Sequence, residues 1–198
     1  MITLNACPVC RSHSIIQYQQ FGTAPHVIHE IMPKVFVDAA ILSRYFICHD
    51  CHVIFQNPRM SDAELDDFYS QGYYRQTLNL TDEEKDADEM HRAKIDSEII
   101  KQHVGEIKSH LDMGCSRGFL LEGVGAPVKV GVESDVKNVS VKNVQVYPEI
   151  NKVPQKSFDL VTAIHTLEHV LDPESFLKDM IKKVSKNGYL AIEVPTWK

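Results

Sequence analysis

The sequence predicts an α/β protein in which a small cysteine-bearing module precedes a parallel sheet covered on both faces. Three observations carry that expectation. From Ile107 onward, apolar runs of about five residues recur between turns or helices, as in strands buried on both faces. Within that half, Ser109 to Glu133 reads as a strand, a glycine-bearing turn, a helix and a second strand that ends in an acid. Ahead of it, two Cys-x-x-Cys pairs mark a section too short to build a sizeable core alone.

The length of 198 residues suits one small and one medium domain. No apolar run approaches the ~20 residues that a membrane-spanning helix requires. The opening MITLNACPVC has neither the basic start nor the apolar core of a secretory signal, so the expected location is the cytoplasm. Five cysteines in that compartment are expected to be reduced, and their spacing reads as metal chemistry before disulfides. The net charge of −6 sits in the middle, where residues 61 to 110 carry 6 basic and 13 acidic side chains. Without a concentrated basic surface, neither nucleic acid nor membrane is an expected partner.

The expected organisation is a cysteine module over 1–58, a helical bridge over 59–105 and an α/β domain over 106–198. The module holds short β-prone runs, HSIIQYQQF and RYFICHD. In the bridge, Ser61 to Glu64 and Thr81 to Glu84 fit the capping-box pattern, in which a hydroxyl and a carboxylate three residues on satisfy exposed N–H groups reciprocally. Each starts a helix. The second runs to about Val104 with Met90, Ile95, Ile99 and Ile100 near one face, and the aromatics Phe68, Tyr69, Tyr73 and Tyr74 lie between the two starts. Strands are expected at 109–113, 128–132, 143–147, 158–164 and 189–194. Asp172-Pro173 begins a further helix, since Asp caps and proline suits the first helical position, and Gly188 ends the connection behind it.

Cys7, Cys10, Cys48 and Cys51 can offer four thiolates to one tetrahedral ion, which describes a structural zinc site closed to substrate. Four free or redox-active cysteines are the alternative. His13, His49 and His52 are bystanders if four sulfurs already complete the shell.

The run Asp112-Met113-Gly114-Cys115-Ser116-Arg117-Gly118 supports three readings. A dinucleotide fingerprint needs Gly-x-Gly-x-x-Gly, and Ser116 and Phe119 stand where its second and third glycines belong. A hydrolase elbow, Gly-x-Ser-x-Gly, is matched literally around Ser116, with Asp159, His165 and His169 downstream. That reading leaves Asp112 and Glu133 without a role.

In the third reading the run resembles motif I of class I S-adenosylmethionine-dependent methyltransferases, Asp-x-Gly-x-Gly-x-Gly, with Ser116 at the central glycine. Further segments resemble that family in order: Val130 to Glu133 its second strand, Ser157 to Val161 its fourth, Leu167 to Pro173 the segment after it, and Asn187 to Pro195 its fifth. Phe21-Gly22-Thr23-Ala24-Pro25 and Cys48 to Arg59 resemble the zinc module preceding the catalytic domain in nucleotide-sugar C-methyltransferases and related small-molecule methyltransferases. There, Arg11 and His52 occupy knuckle positions that often hold glycine.

The resemblance implies a Rossmann-like sheet of order 3-2-1-4-5, and the family's last two strands would fall beyond Trp197-Lys198, as in a truncated chain. It implies a cofactor site of Asp112, Gly114, Cys115, Ser116, Gly118, Glu133, Ser134, Tyr147, Ile164 and His165. Glu133 would accept hydrogen bonds from the ribose hydroxyls, and Tyr147 stands where the family commonly carries an acid for the adenine amine. Ile164-His165-Thr166 would lie beside the methionine half. His169 is the candidate general base, because a neutral imidazole takes a proton near pH 7, with a structural hydrogen-bonding role as the alternative. Tyr73 and Tyr74 could close over the site or pack in the core. No role is expected for His91, His103 or His110. The implied function is methyl transfer to a small-molecule acceptor, a nucleotide sugar among the candidates, with a Ser116 hydrolase and a non-catalytic cofactor-binding fragment as rivals. Oligomeric state is not legible.

Overall fold

The structure, a computed structural model, describes residues 2–20, 44–70, 80–154 and 157–195. They form two compact units, Met1–Asn79 with Leu171–Pro173, and Leu80–Val170 with Glu174–Lys198. Phe21 to Pro25, Tyr73, Tyr74 and Trp197-Lys198 lie outside the described residues.

In the first unit, β1 (Ile15–Gln20), β2 (Arg44–Cys48) and β3 (Ile54–Gln56) form an antiparallel sheet in chain order. Ile15 opposes Cys48 and Phe46 opposes Phe55, whose rings lie 6.3 Å apart. Buried Asn57 ties down the chain start, its Oδ1 accepting from the Leu4 N–H at 2.8 Å and its Nδ2 donating to the Leu4 carbonyl at 3.0 Å. The cysteine knuckles close by Arg11 N–H to Cys7 carbonyl and His52 N–H to Cys48 carbonyl bonds. Arg11 and His52 adopt φ of 63° and 59°, the left-handed conformation for which such knuckles favour glycine. Helix α1 (Asp62–Ser70) begins as expected, with the Ser61 N–H donating to Glu64 at 2.8 Å. Hydrogen bonds from the Ser61 N–H and hydroxyl contribute to holding the Glu64 carboxyl below the usual carboxylate range.

In the second unit, α2 (Asp82–His103) starts at a complete capping box between Thr81 and Glu84 and stops at extended Val104. This helix, placed by sequence in the bridge, packs in the same unit as the parallel sheet. Its buried residues are Ala93, Ser97 and Ile100, whereas Met90, Ile95 and Ile99 are exposed. The expected apolar face is corrected for a packing reason. Helix α3 (Phe119–Val124) presents Gly123, where a Cβ would meet the Ser97 Oγ at 2.8 Å, so small residues meet where the helices approach closely.

The sheet comprises β4 (Ser109–Met113), β5 (Val128–Val132), β6 (Gln145–Tyr147), β7 (Phe158–Ile164) and β8 (Val184–Glu193), all parallel, in the order β6-β5-β4-β7-β8. This is the expected 3-2-1-4-5 order. Leu111, Met113, Val161 and Ala163 pack with Met180 of α4 (Pro173–Lys183), while Leu160 packs with Ala93, Ile100 and Leu120. Helices therefore cover both faces, which explains the near-continuous apolar strands. Two boundaries differ from expectation. β6 is shorter than 143–147, and β8 begins directly behind α4 at Val184 instead of at 189. Gly188 thus lies inside a strand, at a register shift where a Cβ would approach the Phe158 and Asp159 carbonyls at 2.9 Å. Among the described residues, no helix is long and apolar enough to cross a membrane.

Candidate functional site

Because the sheet is parallel, the carboxyl ends of β4, β5, β6 and β7 share one edge, where ligands of such sheets bind. β4 ends in a turn whose shape needs left-handed backbone at alternate positions: Gly114, Ser116 and Gly118 have φ of 70°, 44° and 86°. At Gly114 a Cβ would also collide with the Thr166 Oγ1 at 2.5 Å. Ser116 adopts the glycine-like conformation at a cost of roughly 1–2 kcal/mol.

The carboxylate of Glu133, one residue past β5, is gripped from two sides. Its Oε2 accepts from the Ser116 N–H at 2.9 Å, and its Oε1 accepts from the Asp135 N–H at 3.2 Å and the Ser134 hydroxyl at 3.3 Å. Burial pushes its acidity toward higher pH, and these donors pull back. The Glu133 N–H donates to the Tyr147 carbonyl, which joins the tips of β5 and β6, and Tyr147 packs against the core. The remaining N–H groups of the turn are also occupied. Gly114 and Cys115 donate to the Val132 carbonyl, Gly118 donates to the Cys115 carbonyl, and Arg117 donates to Glu89. The turn's amides are therefore occupied within the protein, and the turn does not present an open row of N–H donors.

Cys115 turns its buried thiol inward, where a Cβ on Gly131 would lie 2.4 Å from its Sγ, and burial raises that thiol's pKa. Only its backbone borders the turn. The Arg117 guanidinium forms a bidentate pair with Asp86 and donates to the Asn138 carbonyl at 3.0 Å, clamping the turn to α2. The Ser116 hydroxyl accepts from Asn138 Nδ2 at 3.4 Å, and no histidine pairs with it among the described residues. The elbow reading lacks its base.

At the tip of β7, Ile164 joins the packing around α2 and α3, and His165 follows with φ of 51°. The His165 ring lies between Glu168 at 3.5 Å and Glu193 at 3.4 Å. Thr166 donates to the Met113 carbonyl at 2.9 Å, so the β7 tip rests on the β4 turn. His169 closes the 3-10 turn Leu167–His169, its Nε2 3.9 Å from Glu168. Burial lowers its pKa, with Glu168 opposing, so the imidazole is neutral at pH 7.

One residue for which the sequence suggested no role, His110, lies beneath the β4 turn. His110 and Asp112, two residues apart on β4, share a face and both contact Thr162 of β7, the Asp112 partner in the ladder. The period of two in a strand was the available signal. Asp112 is buried, and burial pushes its carboxyl up to about 7 despite the Thr162 hydrogen bond.

In the first unit, the sulfurs of Cys7, Cys10, Cys48 and Cys51 lie within 4.8 Å of one another. Two pairs stand 3.6 and 3.5 Å apart, near the about 3.8 Å edge of a tetrahedron of thiolates around zinc. The Val9 N–H points at the Cys7 sulfur at 3.4 Å. Four convergent sulfurs fit a zinc ion, and among the described residues no histidine belongs to the group.

Two curated relatives share sequence with part of the chain. The ubiquinone biosynthesis O-methyltransferase of Pelagibacter ubique is 33% identical over 97 residues, covering 41% of this chain and 40% of that protein. The mitochondrial enzyme of that name from Schizosaccharomyces pombe is 32% identical over 102 residues, covering 43% and 37%. The chain thus spans about two fifths of the length of these relatives. A solved Thermotoga maritima S-adenosylmethionine-dependent methyltransferase, described as a possible histamine N-methyltransferase, aligns at 25% identity with a TM-score of 0.45, covering 56% of each chain. An amino pentose methyltransferase from Micromonospora echinaspora aligns at 18% identity with a TM-score of 0.48, covering 61% and 59%. The family model described as "Methyltransferase domain" matches residues 87–198, more than half of the sequence, from α2 to the final residue. The chain belongs to the methyltransferase domain family.

Proposed function

We propose that the chain binds S-adenosylmethionine at the tips of β4 to β7 and transfers its methyl group to a small-molecule acceptor. The observation that carries this reading is Glu133, oriented in advance by two backbone N–H groups beside the left-handed turn of β4. When bound, the cofactor supplies a methyl group activated on a sulfonium sulfur. Glu133 accepts from the ribose hydroxyls, each bond worth about 1.5–3 kcal/mol. Ser134 and Tyr147 flank the nucleoside, and Gly114, Ser116 and Gly118 shape the floor with the Cys115 backbone. Asp112 complements the cationic methionine half, which Ile164 and His165 border. His169, neutral at pH 7, takes the acceptor's proton.

A nucleotide sugar is the acceptor suggested by the N-terminal motifs, and the names of the two relatives suggest an acceptor oxygen. Methyl-transfer assays on nucleotide sugars and on phenols separate them. Zinc held by Cys7, Cys10, Cys48 and Cys51 keeps the first unit folded, and reduced thiols accord with a cytoplasmic setting.

Calorimetry with S-adenosylhomocysteine on the wild type and Glu133→Ala tests the central claim. The wild type binds, and the variant binds at least roughly tenfold more weakly for the loss of those two bonds. Absence of binding to the wild type refutes the reading.

A further inference from the structure

The polar chain beneath the β4 turn is buried from end to end. His110 and Thr162 are fully buried and Asp112 is 4% exposed, an expensive arrangement in a sheet interior otherwise made of apolar side chains. Its proton order follows from counting. Thr162 has one hydroxyl proton, and it donates that proton to Asp112 Oδ1 at 2.5 Å, the length of an O–H···O⁻ bond. The 2.8 Å contact between Thr162 Oγ1 and His110 Nε2 must then run the other way, with Nε2–H as donor. This fixes the tautomer, leaving a bare lone pair at His110 Nδ1, which has no partner among the described residues. The reverse order would protonate Asp112, turn Thr162 toward His110 and bury an unpaired Nδ1–H instead. An orphaned donor is the rarer defect in folded proteins, so the chain favours the ionised acid.

We propose that His110 is a positioning residue for cofactor binding: relayed through the Thr162 hydroxyl, its Nε2–H holds Asp112 as an ionised acceptor at the tip of β4. The inference rests on the cofactor site proposed above. The neighbouring charges work against it. Glu133 after β5 and Glu89 of α2 are carboxylates that drive Asp112 toward protonation, as burial does more strongly. The buried Cys115 thiol stays protonated and adds no further negative charge. Among the described residues, the Thr162 hydrogen bond acts on Asp112 toward ionisation, and a cationic ligand would add to it. His110 can serve because burial keeps its own ring neutral, with a pKa near about 3. It supplies a donor without a charge that would repel the cofactor.

The test is the pH dependence of S-adenosylhomocysteine affinity, measured by calorimetry on the full chain. Wild-type affinity should weaken below about pH 7 as Asp112 takes up a proton. Thr162→Val, close in shape but without the hydroxyl, should move that acid limb up by about one pH unit and weaken binding roughly fivefold at pH 7. His110→Gln, which can still present a donor, should restore most of the wild-type profile, whereas His110→Leu should behave like Thr162→Val. An unmoved acid limb in folded Thr162→Val or His110→Leu overturns the relay while leaving the cofactor site intact. A wild type that binds nothing at any pH refutes the cofactor reading and the relay with it. If the variants do not fold, ¹⁵N NMR of wild-type His110 decides. The neutral Nε2–H form is required at pH 8, where Asp112 is ionised, and an Nδ1–H form there overturns the proposal.

Discussion

The two units solve the same stability problem with different chemistry. In the first, the buried residues among those described are Cys7, Pro8, Cys48, Phe55 and Asn57, and two of these five are cysteines of the sulfur cluster. The apolar side chains buried among the described residues are too few on their own to offset the entropy of ordering those segments. In the second, Leu111, Leu121, Phe158, Leu160, Val161 and Met180 are wholly buried on the two faces of one sheet. Apolar burial suffices there, and the unit can tolerate the buried polar chain His110-Thr162-Asp112 on β4 and β7. The difference predicts where each unit would be fragile: the first to loss of the zinc ion proposed for its sulfur cluster, the second to crowding and to protons.

The largest effect expected is therefore metal removal. Chelation, or Cys48→Ser, should abolish hydrogen-exchange protection across β1 to β3 and leave β4, β5 and β7 protected. Structural zinc contributes on the order of 10 kcal/mol in comparable sites. Protection of β1 to β3 that survives complete removal of metal would show that the small core stands alone and erase the contrast.

Crowding should act on the second unit alone and more weakly. Gly131→Ala puts a methyl group where the Cys115 sulfur is only 2.4 Å away, in a packed layer that also includes Leu121. The expected loss is about 1–3 kcal/mol, read as a fall in Tm of the unit containing β5. Cys115→Ala added to Gly131→Ala should recover much of it. Failure of that rescue would place the strain elsewhere than at the sulfur.

Much of this architecture is legible in the residues. β4, β5 and β7 fall where apolar runs stand between turns, and the hydroxyl-carboxylate pairs at Ser61 and Thr81 mark both helix starts. Glu133 and the turn glycines are visible as a motif. What remained hidden depends on neighbours distant in sequence. Ile95 and Ile99 look like core residues until Gly123 is seen to draw α3 onto Ala93 and Ser97. The start of β8 is obscured because α4 runs straight into the strand without a breaking residue. His110 looks like one more surface histidine beside a polar helix, and only the pairing of Asp112 with Thr162 across β4 and β7 gives it a partner. The clamp of Arg117 by Asp86 is invisible for the same reason, since 31 residues separate the two side chains.

The smallest effect expected separates the units by their response to acid. Acidification protonates thiolates and releases zinc, so the first unit should lose stability steadily as pH falls. In the second, two buried groups pull in opposite directions. Asp112 has a folded pKa of about 7, above the ~3.9 of an unfolded aspartate, so between those values the folded form binds the extra proton and stability falls as pH rises. His110 has a folded pKa of about 3, below the ~6.5 of an unfolded histidine, so between those values the unfolded form binds more protons and stability falls as pH falls. From about pH 4 to 6.5 the two slopes, each up to roughly 1.4 kcal/mol per pH unit, cancel. Raised Glu133 contributes a background common to wild type and variants. Relative to wild type, His110→Gln should therefore gain stability on acidification across that window and Asp112→Asn should lose it, as measured by urea unfolding at pH 4.5 and 6.5. Differences of the same sign in the two variants would mean that His110 and Asp112 do not titrate as opposed buried groups, and that the polar chain in the sheet is more hydrated than its burial implies.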